Sequence, residues 1–292
     1  MRKKFLAVLV AITVLSLAGC QEKDADDRDA LETTLTPTEA VELGVAEGAA
    51  PTDIEQPMPT EASEPTLSPV SSKETDAGVF LYEKKEDGTI AIMGLQDKSL
   101  AEVVIPKELY GMLVTEIGGY AFANYSSLIS VEIPNSVTTI SVGAFEGCSN
   151  LTSIKIPDSV TEIGSIVFSG CSSLTNLELP DSITYIAEYA FENCSSLASI
   201  KIPDGVTKLW SCLFSGCSSL TSVELPDSLT HIYDGVFHGC SSLTSIELPT
   251  SLTKIVEGIF NNCTNLEIII APKGSYAEQW AIENGFSVQN EQ

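Results

Sequence analysis

The sequence predicts a solenoid, mostly β, of seven coils of the 23-residue type with short helical or 3₁₀ turns. Three observations predict it. Phe122, Phe145, Phe168, Phe191, Phe214, Phe237 and Phe260 lie 23 residues apart without exception. Leucines from Leu128 to Leu266 and prolines from Pro134 to Pro272 keep the same step. Cysteine holds it at 148, 171, 194, 217, 240 and 263. A fixed period in the twenties marks units that cannot close a core alone and bury it by stacking on their neighbours.

Residues 1–19 read as a signal peptide. Arg2, Lys3 and Lys4 precede the apolar run Phe5 to Leu17, which is short for a membrane span; a one-span anchor is the competing reading. Leu17-Ala18-Gly19-Cys20 resembles the bacterial lipobox. That resemblance implies cleavage before Cys20 and attachment of acyl chains to it, which is stable anchoring. The mature chain would carry 12 basic and 40 acidic residues, a net charge of −28 against −25 for the whole sequence. Such acidity argues against nucleic acid and against direct adsorption to an anionic membrane, leaving the acyl anchor as the membrane contact.

Residues 20–78 form a tether. From Gln21 to Gly78 there are 15 acidic and 3 basic residues and no aromatic one. Such a segment buries too little apolar surface to offset its ordering entropy. Its root-mean-square reach is ~40 Å, lengthened by charge repulsion. Asp24-Ala25-Asp26-Asp27-Arg28-Asp29 lacks the ordered oxygens and turn glycine of a calcium loop and reads as a solvated charge run.

Residues 79–102 are expected to cap the array with a hairpin around Asp87-Gly88. The solenoid follows at 103–272. In the unit from Leu220, the residues Leu220, Val223 and Leu225 point inward while Ser222 and Glu224 face water, as in a half-buried strand. Pro226 ends that strand, because it has no N–H to give the ladder. Asp227 and Ser228 turn the chain, Leu229 to Ile232 is a second short strand, and Asp234 to Cys240 is the turn that buries Phe237. The first unit holds five additional residues between Pro106 and Phe122, read as a longer turn. At about 4.8 Å per coil, seven coils are roughly 34 Å long. Residues 273–292 supply the second cap. Ser275 and Glu278 form a capping box, Ala277, Trp280 and Ala281 share a helix face, and Gly285 stops the helix, with Trp280 as lid.

The span from 103 to 272 closely resembles the BspA-type leucine-rich repeat family: Ile156 to Leu177 reads IPDSVTEIGSIVFSGCSSLTNL, against the consensus IPDSVTxIGxxAFxGCSSLTSI. The resemblance implies a leucine-rich repeat solenoid and, for some members, adhesion or host-surface interaction.

The cysteines invite chemistry, but their spacing opposes it. Zinc takes about four converging ligands, usually from C-x-x-C pairs, and no such pair exists; Cys212 and Cys217 are five apart. Disulfides between adjacent coils meet the α-carbon limit, but parallel side chains leave β-carbons near 4.8 Å, longer than a bridge prefers. Seven cysteines remain beside Cys20, an odd number, and Tyr125 fills the column in the first unit. The column therefore reads as packed thiols, each a small hydrophobe. His231 and His238 are the only imidazoles, and no nucleophile elbow, phosphate loop, dinucleotide fingerprint or H-E-x-x-H is present. No catalytic residue, metal or cofactor is assigned.

Two outward columns carry the remaining information. Glu132, Lys155, Glu178, Lys201 and Glu224 alternate in sign, which coil-to-coil pairing explains; a charged recognition strip is the alternative. Tyr185, Lys208, Trp210, His231 and Tyr233 are the ligand-binding candidates, since aromatics gathered on a surface make interface hot spots; the bland reading, in which Trp210 and Tyr233 merely shield a hydrophobic seam, is weighed ahead of it. The expected protein is a lipid-anchored, monomeric binding protein at the outer face of a bacterial membrane, taking another protein or a surface glycan. The alternatives are a structural envelope component and a glycan-binding, non-catalytic module of a surface complex.

Overall fold

The computed structural model describes residues 77–290; the expected signal peptide, Cys20 and nearly all of the expected tether lie outside them. The chain winds as stacked coils, and each coil contributes to three parallel ladders around one shared interior.

The first ladder consists of three-residue strands: Ser130–Glu132, Ser153–Lys155, Ser199–Lys201, Ser222–Glu224 and Ser245–Glu247, ending on Ile268–Ala271. Each pairing advances by one 23-residue unit, as in Val131 with Ile154 and Ile246 with Ile269. The central residue of each strand is buried and its neighbours face outward, so the period-two pattern selects the register. The second ladder consists of two-residue strands such as Glu162–Ile163 and Lys208–Leu209, which bury the second residue.

The third ladder lies in the turns. Phe122 N–H donates to the Ala144 carbonyl, Asn124 to Glu146, Phe145 to Val167 and Gly147 to Ser169, and the pattern runs on to Gly239 and Asn261. The intervening residues bond three back, as in Cys148 to Phe145, which gives each turn its 3₁₀ character. In this turn ladder each donor belongs to one coil and its acceptor to the next. The geometry requires positive φ at two columns. One holds Asn124, Gly147, Gly170, Asn193, Gly216, Gly239 and Asn262, residue types that tolerate the left-handed region. The other admits Ile166 at φ 51°, a β-branched residue in a conformation that costs it roughly 1–2 kcal/mol.

Inside, the phenylalanine rings stack. Successive centroids lie 5.2 to 5.8 Å apart with ring planes within 15° of parallel. The cysteines do more than fill space. Each Sγ donates to the carbonyl of the phenylalanine 26 residues earlier, from Cys148 to Phe122 at 3.0 Å through Cys263 to Phe237 at 2.9 Å. The thiol column thus adds a hydrogen-bond chain to the packing read from the sequence. Tyr125 heads the column, and its hydroxyl accepts from Leu95 N–H at 3.0 Å and donates to the Leu95 carbonyl at 3.2 Å. Serine and threonine hydroxyls outside repeat the theme, as Ser228 does to the Val206 carbonyl and Thr230 to Thr207.

Both ends are closed. Strands Phe80–Lys84 and Ile90–Leu95 form a hairpin around Asp87-Gly88, and Lys85 reaches Glu116 at 2.9 Å to tie it to the first coil. Gly94 is needed there, since a β-carbon would lie 2.7 Å from the Ala121 carbonyl oxygen. The five additional residues make a second hairpin, Glu108–Leu109 against Met112–Ile117, through Tyr110 and Gly111 at positive φ. At the far end the helix Tyr276–Glu283 starts on Ser275, whose hydroxyl accepts from Glu278 N–H at 3.1 Å. Trp280 covers Phe260 at 6.2 Å, and Phe286 meets both rings. The chain then returns as Ser287–Asn290 and adds one further parallel strand beside Ile268–Ala271. That last strand extends the C-terminal cap beyond the helix expected from the sequence. No helix among the described residues is long and apolar enough to cross a membrane.

Candidate binding face

The two-residue strands aim one side chain in and one out. Ile186, Leu209, Ile232 and Ile255 point inward; Tyr185, Lys208, His231 and Lys254 point outward. Two residues further on, Ala187 is followed one coil later by Trp210 and then by Tyr233. The rings of Trp210 and Tyr233 stack face to face, 4.7 Å apart and 9° from parallel. Tyr185 leans on Trp210 at 6.0 Å and 56°, and His231 lies 6.1 Å from Tyr233. The Lys208 ammonium sits 5.3 Å over the Trp210 ring, and that of Lys254 sits 5.3 Å over Tyr233. His231 Nδ1 is 2.8 Å from the Thr230 hydroxyl.

The structure therefore joins all five residues singled out in the sequence and adds Lys254. Their faces are occupied by one another and by the two lysines, while Tyr185 remains 38% exposed. Partial burial, then the carboxylates of Glu188 and Glu162, raises the Tyr185 phenol above its ordinary value and keeps it a neutral hydrogen-bond donor.

Further apolar residues run from this ridge toward the N-terminal end. Met93 lies over Gly118, Tyr120 packs on Gly143, and Val142 lies beside Gly119. Met93, Tyr120 and Val142 are 39, 51 and 41% exposed. Ile166 and Tyr189 continue the line, and the Tyr189 N–H bonds the carbonyl of Ser211, next to Trp210. The sequence reading missed these residues. For Tyr120, Ile166 and Tyr189 the available signal was a large side chain in a turn column that takes glycine at Gly143, Gly235 and Gly258.

The alternating charged column lies on the long-strand ladder. Lys201 meets Glu224 at 3.0 Å with both side chains mostly in water, a pairing that contributes little to stability. Glu224 and Glu247 then break the alternation, and strands Ser222–Glu224 and Ser245–Glu247 fall into separate sheets. A shallow groove of about 210 Å³ opens there between Val223, Leu225, Pro249 and Pro272.

The thiols take no part in either face. Cys148, Cys171, Cys194, Cys217 and Cys240 are buried and free. Burial pushes Cys148 and Cys217 up to about 12 and Cys263, at the less covered end, to about 11. A neutral buried thiol is a poor nucleophile and a poor metal ligand. Among the described residues no group of three His, Cys, Asp or Glu is arranged to hold a metal ion.

A sequence profile described as the BspA type leucine rich repeat region matches residues 115–211 and 184–290, in six copies. The fold is similar to that of a leucine rich cell surface protein from Faecalibacterium prausnitzii, at 35% identity and TM-score 0.61, covering 69% of this chain and 55% of that one. It is also similar to a leucine-rich repeat protein from Bacteroides ovatus, at 36% identity and TM-score 0.62, covering 67% of this chain and 55% of that one. The chain thus spans little more than half the length of either. No curated protein matches it.

Proposed function

The chain belongs to the BspA-type leucine-rich repeat family, and we propose that it is a lipid-anchored cell-surface binding protein that captures another protein on the ridge Tyr185, Lys208, Trp210, His231 and Tyr233. The observation that carries this reading is the face-to-face Trp210–Tyr233 pair on the outside of the array, where the repeat needs no aromatic residue. Other coils place glycine, serine or alanine at the same position, at Gly118, Ser141, Gly164 and Ala187, and still stack. Large rings gathered on a surface are the usual anchors of protein interfaces. The lipobox at Leu17 to Cys20 and the acidic segment behind it support display away from a membrane. One similar structure is of a protein described as a leucine rich cell surface protein, which accords with that placement.

A protein partner is favoured over a neutral glycan by the geometry of the rings. Sugars stack on open aromatic faces, and here the two facing surfaces are 4.7 Å apart and closed to a third ring. The test is the full chain displayed on cells, with the Trp210→Ala/Tyr233→Ala variant beside it. Adhesion to immobilised matrix proteins is expected to fall at least tenfold with the thermal transition little changed. Undiminished adhesion would remove the ridge as the binding face. Cys20→Ala is expected to move the protein from the membrane fraction to the medium; retention in the membrane would remove the acyl anchor.

A further inference from the structure

The ridge is flanked by charge of opposite sign on its two sides. On the strand side, Lys208, His231 and Lys254 are direct neighbours in register, Lys208 with His231 and His231 with Lys254. No acidic residue is interleaved among them, unlike the long-strand column, where Lys201 sits between Glu178 and Glu224. Two ammonium groups thus stand on either side of His231 with no carboxylate between them, so no coil-to-coil ion pairing accounts for this order. The lysines lie over Trp210 and Tyr233, which holds the ammonium groups at the ridge. On the turn side, the column one residue past Ala187, Trp210, Tyr233 and Val256 reads Glu188, Ser211, Asp234 and Glu257.

From this arrangement we infer that the ridge takes an extended polypeptide segment that sets carboxylates against the Lys208–His231–Lys254 column and apolar side chains against Tyr185 and the ring edges. The inference rests on the ridge being the binding face. Three features select this occupant. The cationic column stands out on a chain of net charge −25, and it attracts acid locally. Stacked rings present their positive edges outward, which suits carboxylate oxygens. A polyanion such as a sulfated polysaccharide carries charge along its whole length and would meet Glu188, Asp234 and Glu257 across the ridge. A polypeptide can put its acids on one side only.

The experiment uses the full chain and four probes: a ten-residue peptide alternating Glu and Tyr, its Lys–Tyr counterpart, dextran sulfate and a neutral oligosaccharide. Fluorescence anisotropy at low salt is expected to show the Glu–Tyr peptide binding about tenfold tighter than the Lys–Tyr peptide, with the difference shrinking as salt rises. Lys208→Glu/Lys254→Glu is expected to invert that order, and Lys201→Glu on the other ladder to leave it alone. An unchanged order in Lys208→Glu/Lys254→Glu overturns the inference, as does stronger binding of dextran sulfate or no binding of any probe. If Trp210→Ala/Tyr233→Ala abolishes peptide binding while the charge variant does not alter it, the ridge stands as the binding face and the charge assignment falls. If neither variant matters, both fall.

Discussion

The interior of this molecule and its lateral ridge obey different rules, although both are columns repeated every 23 residues. In the interior the phenylalanine and cysteine columns each make two kinds of contact between coils. Phe145 stacks between Phe122 and Phe168, and its backbone carbonyl accepts the Cys171 thiol. Cys194 fills the core and donates to Phe168. On the ridge the positions vary freely from coil to coil, through Gly118, Ser141, Gly164, Ala187, Trp210 and Tyr233, without disturbing the winding. Periodic constraint marks what holds the coils together, and departure from it marks what a partner meets.

The largest test of the contrast is alkaline titration, because it acts on the whole thiol column at once. A cysteine ionising near 9 in the unfolded chain ionises at about 12 in Cys148 and Cys217 of the folded one. Below pH 9 both states hold their protons and the stabilisation is complete. Between 9 and 12 the unfolded chain loses its proton first, so stability falls as pH rises, by roughly 1 kcal/mol per thiol per pH unit. Denaturant titrations at pH 7, 9 and 10.5 are expected to show a steep loss above 9, with a shallower loss in Cys194→Ala. A flat profile would mean that these thiols are not buried together.

Single substitutions sharpen the same comparison. Phe191 stacks at 5.8 Å on Phe168 and 5.5 Å on Phe214 in the middle of the array. Phe191→Ala removes a fully buried ring and is expected to cost about 3–5 kcal/mol. Trp210→Ala or Tyr233→Ala removes a half-buried ring and part of one stacked pair, so about 1 kcal/mol is expected. Calorimetry that finds the ridge as costly as the core would make the ridge a structural seam.

How much of this was readable beforehand follows from the same distinction. The Phe, Leu, Cys and Pro columns declare themselves because burial and ring closure allow few residue types, and the caps declare themselves through Asp87-Gly88 and the Ser275–Glu278 box. The turn ladder was hidden. Its left-handed column reads Tyr120, Gly143, Ile166, Tyr189, Cys212, Gly235 and Gly258, which shows no common chemistry because only the backbone is constrained there. The donor role of the thiols was hidden too, since a small apolar side chain fits the same pattern. Met93 and Val142 were invisible for a different reason: their exposure depends on glycines in neighbouring coils, not on their own period. Lys254 needed the structure to place its ammonium over Tyr233 from one coil away.

The smallest effect is the most specific. Ile166 holds φ 51° in the turn column where Gly143 and Gly235 stand in other coils. Its N–H reaches the Glu188 carbonyl at 3.2 Å, so the ladder keeps its hydrogen bond while the β-branched side chain bears the strain. Ile166→Gly relieves that strain and loses the contacts of a half-buried side chain, and it adds freedom to the unfolded chain. The net expectation is a gain of up to about 1 kcal/mol, read as a higher midpoint in denaturant. If Ile166 is part of the apolar line leading to the ridge, the same variant weakens partner capture while it strengthens the fold. An isoleucine kept against its backbone preference would then be explained by what it touches outside. A variant less stable than the parent, with capture intact, would place Ile166 with the interior instead.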